Sequence, residues 1–214
     1  MAGRLARWAV LAAMFIWIGR IINLPRFWVY AAIWVGGALY GILRVDPALF
    51  AERRKPGGAT LDPWTLVGIR VCAVSAAVIA LVDIERFHWS DTVPPAIRTP
   101  AMVLYAAALL FAVQAMIANP FFSVAVRIQT DRGHRLVSSG PYRFVRHPGY
   151  LGMSIACPAS VLALGSWLAL VPALLYSLLI VRRAAVEDRY LLAKLDGYGA
   201  FADRVRYRLI PGLW

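Results

Sequence analysis

The sequence predicts an all-α fold, an integral membrane helical bundle with about five to six transmembrane segments and a C-terminal helical hairpin. Of its 214 residues, 61% are hydrophobic and only 16% are charged, whereas a soluble globular domain typically has roughly 25% charged residues. The net charge of +12 comes almost wholly from arginines that lie between long apolar runs. Such a distribution is typical of membrane proteins, and we expect membrane lipids rather than nucleic acid as partners.

The apolar runs give the predicted spans in order. The first run is interpreted as a retained span and not a signal peptide, because no small-residue cleavage site follows it. A tight turn at Asn23-Leu-Pro25 separates it from the second, since proline cannot continue a helix. Gly165-Ser166 joins the last two as a hairpin. The predicted spans are 5–22, 26–43, 64–82, 101–119, 150–164 and 167–181.

The distribution of basic residues predicts the orientation. If the N-terminus, the loops 44–63 and 127–148 and the C-terminal region share one side, that side has 18 basic residues and the opposite loops have four. The positive-inside rule places the first side in the cytoplasm. Arg70 lies within the third span, where a functional role and a snorkelling side chain are both open. The four opposite residues are Arg20, Arg26, Arg86 and Arg98.

The segment 140–150 has the features of a polar site at the start of a membrane helix. His147 precedes Pro148, and proline favours the first helical position, so a helix should begin at Pro148. Its first backbone N–H groups then lack helical partners and favour an anionic group. Tyr142 offers a flat ring that could border a planar ligand. The alternative is that His147 only caps the helix and that nearby arginines contact lipid phosphates.

Arg183 and Glu187 form a second candidate pair. A spacing of four places both side chains on one face of a helix. They could be an exposed ion pair of small energetic value, or a guanidinium held by Glu187 and able to bind a carboxylate. The spacing alone leaves both interpretations open.

Several motifs resemble one known family. The run Gly140–Gly152, Gly-Pro-Tyr-Arg-x-Val-Arg-His-Pro-x-Tyr-Leu-Gly, is followed by a hairpin and then by the acids Glu187-Asp188. In this order they resemble the isoprenylcysteine carboxyl methyltransferase family, whose wider group includes phospholipid and methanethiol methyltransferases. The resemblance covers about residues 119–214. It departs from the family pattern at Glu187-Asp188 (usually Glu-Glu), at Tyr198-x-x-Phe201 (usually Tyr-x-x-Tyr) and at Val205-Arg206 (often Val-Pro).

The resemblance implies a methyltransferase that uses S-adenosylmethionine, with no metal, in a pocket at the cytoplasmic face of the bacterial inner membrane. The acceptor would be lipophilic and carry a carboxylate such as that of a prenylated cysteine. Arg183 and Glu187 would be catalytic. A phospholipid or thiol acceptor, or a sterol-type reductase that uses NADPH, remains as an alternative. The implied cofactor-binding residues are Gly140, Pro141, Tyr142, Val145, Arg146, His147, Tyr150 and Leu151.

The predicted organisation follows from these motifs. Residues 1–118 form the N-terminal transmembrane helices. Residues 119–214 form the catalytic region, which consists of the loop 127–148, the hairpin 149–181 and the C-terminal helix and tail 182–214.

Overall fold

The computed structural model describes residues 24–214, together with residues 13, 16, 19 and 20. The predicted first span, 5–22, therefore lies almost entirely outside the described residues. Within residues 24–214 all regular elements are helical, and a π-helical turn, Asp83–Phe87, follows the third helix. The α-helices are α1 (Pro25–Arg44), α2 (Pro47–Arg54), α3 (Pro63–Val82), α4 (Pro95–Ala118), α5 (Pro148–Leu164), α6 (Leu170–Lys194) and α7 (Tyr198–Arg204).

Proline sets the start of many of these helices. Its fixed φ suits the first helical position, and the N–H group that it lacks would have no partner there. The predicted start of the hairpin helix is confirmed, because α5 begins at Pro148 and His147 is its N-cap residue. The helices that begin with proline are α1, α2, α3, α4 and α5.

The predicted integral membrane helical bundle is confirmed. Among the described residues, α1, α4 and the continuous segment Pro63–Phe87 are long and apolar enough to cross a membrane, and α5 is a shorter apolar helix. In α6, the first half is apolar, and charged side chains begin at Arg182. The charged half of α6 therefore marks the polar end of the hairpin.

Close packing between α4 and α5 brings the start of the hairpin against the fourth span. Gly152 of α5 faces the α4 backbone, where a Cβ atom would lie 2.7 Å from the carbonyl oxygen of Ala108 and 2.8 Å from the amide nitrogen of Ala112. A side chain at this position would force the two helices apart. Helix α6 in turn packs against α5 and α3, so the hairpin of α5 and α6 packs against both α4 and α3.

A buried carboxylate secures the hairpin turn at the opposite end. Asp83 is fully buried and accepts hydrogen bonds from the Ser166 hydroxyl at 2.5 Å and from the Ser90 amide at 3.0 Å. The turn itself is uncharged, as predicted, yet an acid from the end of α3 ties it to the bundle. A buried polar group needs such partners.

At the polar end, α2 links the N-terminal helices to the loop that follows α4. Glu52 is buried and pairs with Arg127 at 2.9 Å, and it also accepts from the Ser123 hydroxyl at 3.0 Å. Arg127 pairs further with Asp131 at 2.7 Å. These contacts position the segment 119–134 over the ends of α5 and α6.

Candidate active site

A cavity lies at the polar end of α5 and α6, beneath the segment 119–147 and beside α7. It encloses about 700 Å³ of empty space, including the part that is open to solvent. Its lining combines flat aromatic rings with both signs of charge. The aromatic residues are Phe121, Phe122, Tyr142, Tyr150, Tyr198 and Phe201, and the charged ones are Arg127, Arg135, Arg146 and Glu187.

Half of the predicted cofactor residues line this cavity. Tyr142, Arg146, His147 and Tyr150 do so. The other four lie behind the lining and give the wall its shape: Gly140 and Pro141 start a short 3₁₀ turn, Val145 is buried in the core, and Leu151 packs against apolar residues between the hairpin helices.

Asp188 holds the predicted motif in place. It is fully buried and accepts two hydrogen bonds from Arg146, at 2.7 Å and 3.1 Å. Arg208 donates at 2.7 Å, the Tyr198 hydroxyl donates at 2.8 Å, and His147 Nε2 lies 3.2 Å from the same carboxylate. The sequence left the role of this acid open.

The charge on Asp188 is strongly favoured. Burial alone would raise the pKa of its carboxyl group, but the hydrogen bonds from His147 and the two arginines outweigh burial and hold that pKa well below its usual range. Asp188 is therefore ionised at physiological pH, and it compensates the positive charge of the motif.

The C-terminal tail is attached to the same motif through the backbone. The Arg146 amide donates to the Tyr207 carbonyl at 3.0 Å, and the His147 amide donates to the Arg208 carbonyl at 2.9 Å. The Arg146 guanidinium also donates to the carbonyls of Val205 at 2.9 Å and Arg206 at 2.8 Å. Arg146 borders the cavity, but its donors hold the tail and Asp188 instead of pointing to a ligand.

Arg183 and Glu187 are joined through a third residue. The Tyr150 hydroxyl donates to Glu187 at 2.6 Å and accepts from Arg183 Nε at 3.1 Å. The predicted direct contact between Arg183 and Glu187 is wrong, because Tyr150 reaches in from α5 between them. Glu187 lines the cavity, whereas Arg183 lies behind Tyr150.

The other donors of Arg183 meet neutral oxygen atoms. The guanidinium is 3% exposed, and it donates to the carbonyl of Asp62 at 3.5 Å and to the carbonyl of Val124. Within the described part of the chain, no carboxylate lies at ion-pair distance from it. Arg183 is thus a buried cation with no acid in direct contact.

Two further arginines, Arg182 and Arg70, have different surroundings. Arg182, next to Arg183, points away and pairs with Asp62 at 2.6 Å at the start of α3. Arg70 is exposed on the outer face of α3, which favours the snorkelling interpretation.

The cavity also contains residues that the site prediction did not include. Asn119 donates to the Tyr142 hydroxyl at 3.1 Å and so fixes that ring. His134 stacks on Phe121, with ring centroids 4.6 Å apart. Burial, together with the charges of Arg127 and Arg132, lowers the pKa of His134 to about 4. Its imidazole is therefore neutral near pH 7.

The run Asn119-Pro-Phe-Phe offered a signal for Asn119 and Phe121, since it lies at the start of the region 119–214 that the resemblance covers. His134 had no such signal, because a single histidine in a polar loop has many uses. Among the described residues, no group of three His, Cys, Asp or Glu side chains is placed to hold a metal ion.

With this geometry described, the chain can be compared with known proteins. Residues 99–193 match the isoprenylcysteine carboxyl methyltransferase (ICMT) family. The resemblance drawn from the motifs is thereby confirmed for this ICMT region, which includes α5, almost all of α6 and most of the cavity lining. It begins earlier than residue 119, within α4, and ends before the tail.

One curated relative is a protein-S-isoprenylcysteine O-methyltransferase of Schizosaccharomyces pombe. It is 32% identical over 93 residues, which are 41% of this chain and 38% of that protein. The matched part is thus less than half the length of the relative.

Proposed function

We propose that this chain is a membrane methyltransferase that transfers a methyl group from S-adenosylmethionine to the carboxylate of a lipophilic acceptor. The observation that carries this proposal is Arg183. Its buried guanidinium meets neutral oxygens and the Tyr150 hydroxyl, at the point where α6 leaves the apolar core. Burying a charge that has no counter-charge in direct contact is costly, and an acceptor carboxylate would relieve that cost.

The cavity has chemistry that suits the proposed cofactor. Aromatic rings such as Tyr142 and Phe121 can stack on a planar adenine. A positively charged sulfonium centre is attracted to ring faces and to the Glu187 carboxylate. Arg135 is exposed at the lining and can bind the carboxylate of the cofactor's amino acid part.

In the proposed mechanism, the chain orients the reactants and excludes water. S-adenosylmethionine, when bound, supplies an electrophilic methyl group. The acceptor carboxylate is ionised near neutral pH, so no residue has to act as a base. Arg183 would hold the carboxylate in line with the methyl group, and Tyr150 would fix the guanidinium plane. Such orientation can supply a large part of a rate enhancement.

Glu187 has a separate part in this proposal. Its carboxylate faces the cavity and accepts a hydrogen bond of 2.6 Å from Tyr150. It would place negative charge beside the sulfonium and link that position to Arg183 through the tyrosine. A substitution of Tyr150 should therefore disturb both halves of the site.

We further propose that the site faces the cytoplasm of a bacterial inner membrane. Eighteen basic residues lie on the side of the loops 44–63 and 127–148 under the predicted topology, and basic residues favour the cytoplasm. The water-soluble cofactor would enter from that side, and the acceptor would arrive from the lipid.

The test is transfer of tritiated methyl groups to N-acetyl-S-farnesylcysteine by the purified protein in detergent. We expect label that is released as methanol by mild base, because methyl esters hydrolyse under these conditions. Arg183→Ala should lose this product. Absence of this ester, together with base-resistant label when a membrane extract replaces the farnesyl substrate, would contradict a carboxylate acceptor and support a thiol or phospholipid acceptor instead. No transfer to any membrane extract would contradict the proposed activity.

A further inference from the structure

Arg53, on α2, lies one aromatic ring away from the proposed cofactor cavity. Its guanidinium donates to the Phe122 carbonyl at 3.0 Å and covers the Phe122 ring at 5.4 Å from the centroid. Phe122 also lines the cavity. Arg53 belongs to the N-terminal half of the chain, outside the region that matches the ICMT family.

The Phe122 ring is itself held firmly against the hairpin. A Cβ atom at Gly149 would lie 2.3 Å from the ring, so only glycine leaves room for Phe122 at the start of α5. The ring centroid is also 6.1 Å from that of Tyr150. Phe122 therefore has a fixed position next to Arg53 and Tyr150.

Arg53 and Arg183 donate hydrogen bonds to the same short stretch of backbone. Arg53 donates to the carbonyl of Phe122, and Arg183 donates to the carbonyl of Val124. Two residues of extended chain span at most about 7 Å. The two guanidinium groups consequently bind carbonyl oxygens of one backbone stretch from α2 and from α6, and they are close enough to interact electrostatically.

In the described part of the chain neither cation has an acid in direct contact, although Tyr150 links Arg183 to Glu187. Among the described residues, no carboxylate lies at ion-pair distance from Arg53 or Arg183, and the nearest acid in the sequence, Glu52, is bound to Arg127. Burial lowers the pKa of Arg53; Tyr150 raises it, and the positive charge of Arg183 lowers it. Two like charges at a partly buried boundary repel each other unless an anion lies between them.

We infer that Arg53 is a second binding residue for the acceptor, and that its guanidinium and that of Arg183 together hold the acceptor carboxylate. This inference rests on the proposed function. A guanidinium can pair with each carboxylate oxygen through its planar fork of donors. The apolar tail of the acceptor would extend from this pair of arginines into the lipid, and its carboxylate would face the cofactor cavity.

The test compares binding of N-acetyl-S-farnesylcysteine with that of its uncharged carboxamide, measured by titration calorimetry in the presence of S-adenosylhomocysteine. The wild-type protein should bind the carboxylate about tenfold or more tightly than the carboxamide. Arg53→Gln should lose most of this preference, and Arg53→Lys should keep part of it because it keeps the charge. Arg54→Gln is the matched control, since Arg54 is the next residue of α2 and is exposed.

A second variant and a folding check guard against misfolding of Arg53→Gln. Arg53→Met retains the apolar stem over Phe122, so it replaces Arg53→Gln if that variant does not fold, and unchanged binding of S-adenosylhomocysteine verifies folding. A preference for the carboxylate that survives in the folded Arg53 variants would overturn the inference. So would a wild-type preference for a farnesyl phosphate over the farnesyl carboxylate.

The failure of this inference can be told from the failure of the proposed function. If the wild-type protein makes the base-labile methyl ester and Arg53→Gln leaves its KM for the acceptor unchanged, the inference is wrong and the function stands. If no ester forms but the carboxylate preference exists and depends on Arg53, the binding role stands and the methyltransferase proposal is wrong.

Discussion

Replacing Asp188 by asparagine should destabilise the site region more than any comparable change of an exposed acid. The substitution keeps the size of the side chain but removes the charge that faces Arg146 and Arg208. Arg146 is 7% exposed and its partner 0% exposed, so the lost attraction is poorly screened. Removing one partner of a buried ion pair costs about 3–5 kcal/mol. Because the amide oxygen still accepts hydrogen bonds, we expect about 3 kcal/mol.

The measurement is reversible unfolding in mixed detergent micelles, followed by tryptophan fluorescence. Asp196→Asn provides the control, because Asp196 is exposed in the turn after α6 and should change the free energy of unfolding by less than about 0.5 kcal/mol. Affinity for S-adenosylmethionine should also fall in Asp188→Asn, since His147 and the tail lose a common anchor. A loss of stability below about 1 kcal/mol would refute the role of Asp188 as the charge that holds the motif.

Four other substitutions and conditions test the remaining contacts. Tyr150→Phe removes the hydroxyl between Arg183 and Glu187, and a hydrogen bond to a charged group is worth about 1.5–3 kcal/mol. We therefore expect kcat/KM to fall about 10- to 100-fold. An unchanged kcat/KM would contradict the role of Tyr150 as a bridge. His147→Ala should weaken cofactor binding in calorimetry. Arg183→Ala should abolish methyl transfer and largely keep cofactor binding, and equal loss of both would contradict the division of roles. The pKa of His134 is about 4 in the folded protein, lower than its value of about 6.5 in the unfolded chain. The free energy of unfolding should therefore decrease as pH falls from about 6.5 to about 4. His134→Asn should reduce this decrease.

Local rules were sufficient to predict the helical frame of the site. Proline at position 148 fixes φ and lacks an N–H group, so the start of α5 follows from two residues. The uncharged pair Gly165-Ser166 between two apolar runs marked the hairpin turn. These features depend on neighbours in sequence, and the structure has them where the pattern placed them.

The contacts that arrange the site depend on residues far apart in sequence. Spacing placed Arg183 and Glu187 on one face of α6, but it could not show that Tyr150 of α5 reaches between them. Asp188 had the same ambiguity. Its partners come from the loop before α5 and from the tail, 42 and 20 positions away.

Two groups of arginines lie at the polar end, those paired with acids and those that contact neutral groups. Arg146 of the motif and Arg208 of the tail pair with Asp188, and Arg127 pairs with Glu52 and Asp131. Arg183 and Arg53 differ from these, because they contact carbonyl oxygens and aromatic groups. We interpret this contrast as the difference between arginines that stabilise the fold and arginines kept for an anionic acceptor.

The central proposal, a cofactor site formed by the segment 119–147 together with α6 and α7, is tested most directly by titrating the purified protein with S-adenosylmethionine in a calorimeter. We predict saturable binding at one site per chain, with weaker binding by His147→Ala and near wild-type binding by Asp196→Asn. Absence of binding by the folded wild-type protein at millimolar S-adenosylmethionine would contradict the account.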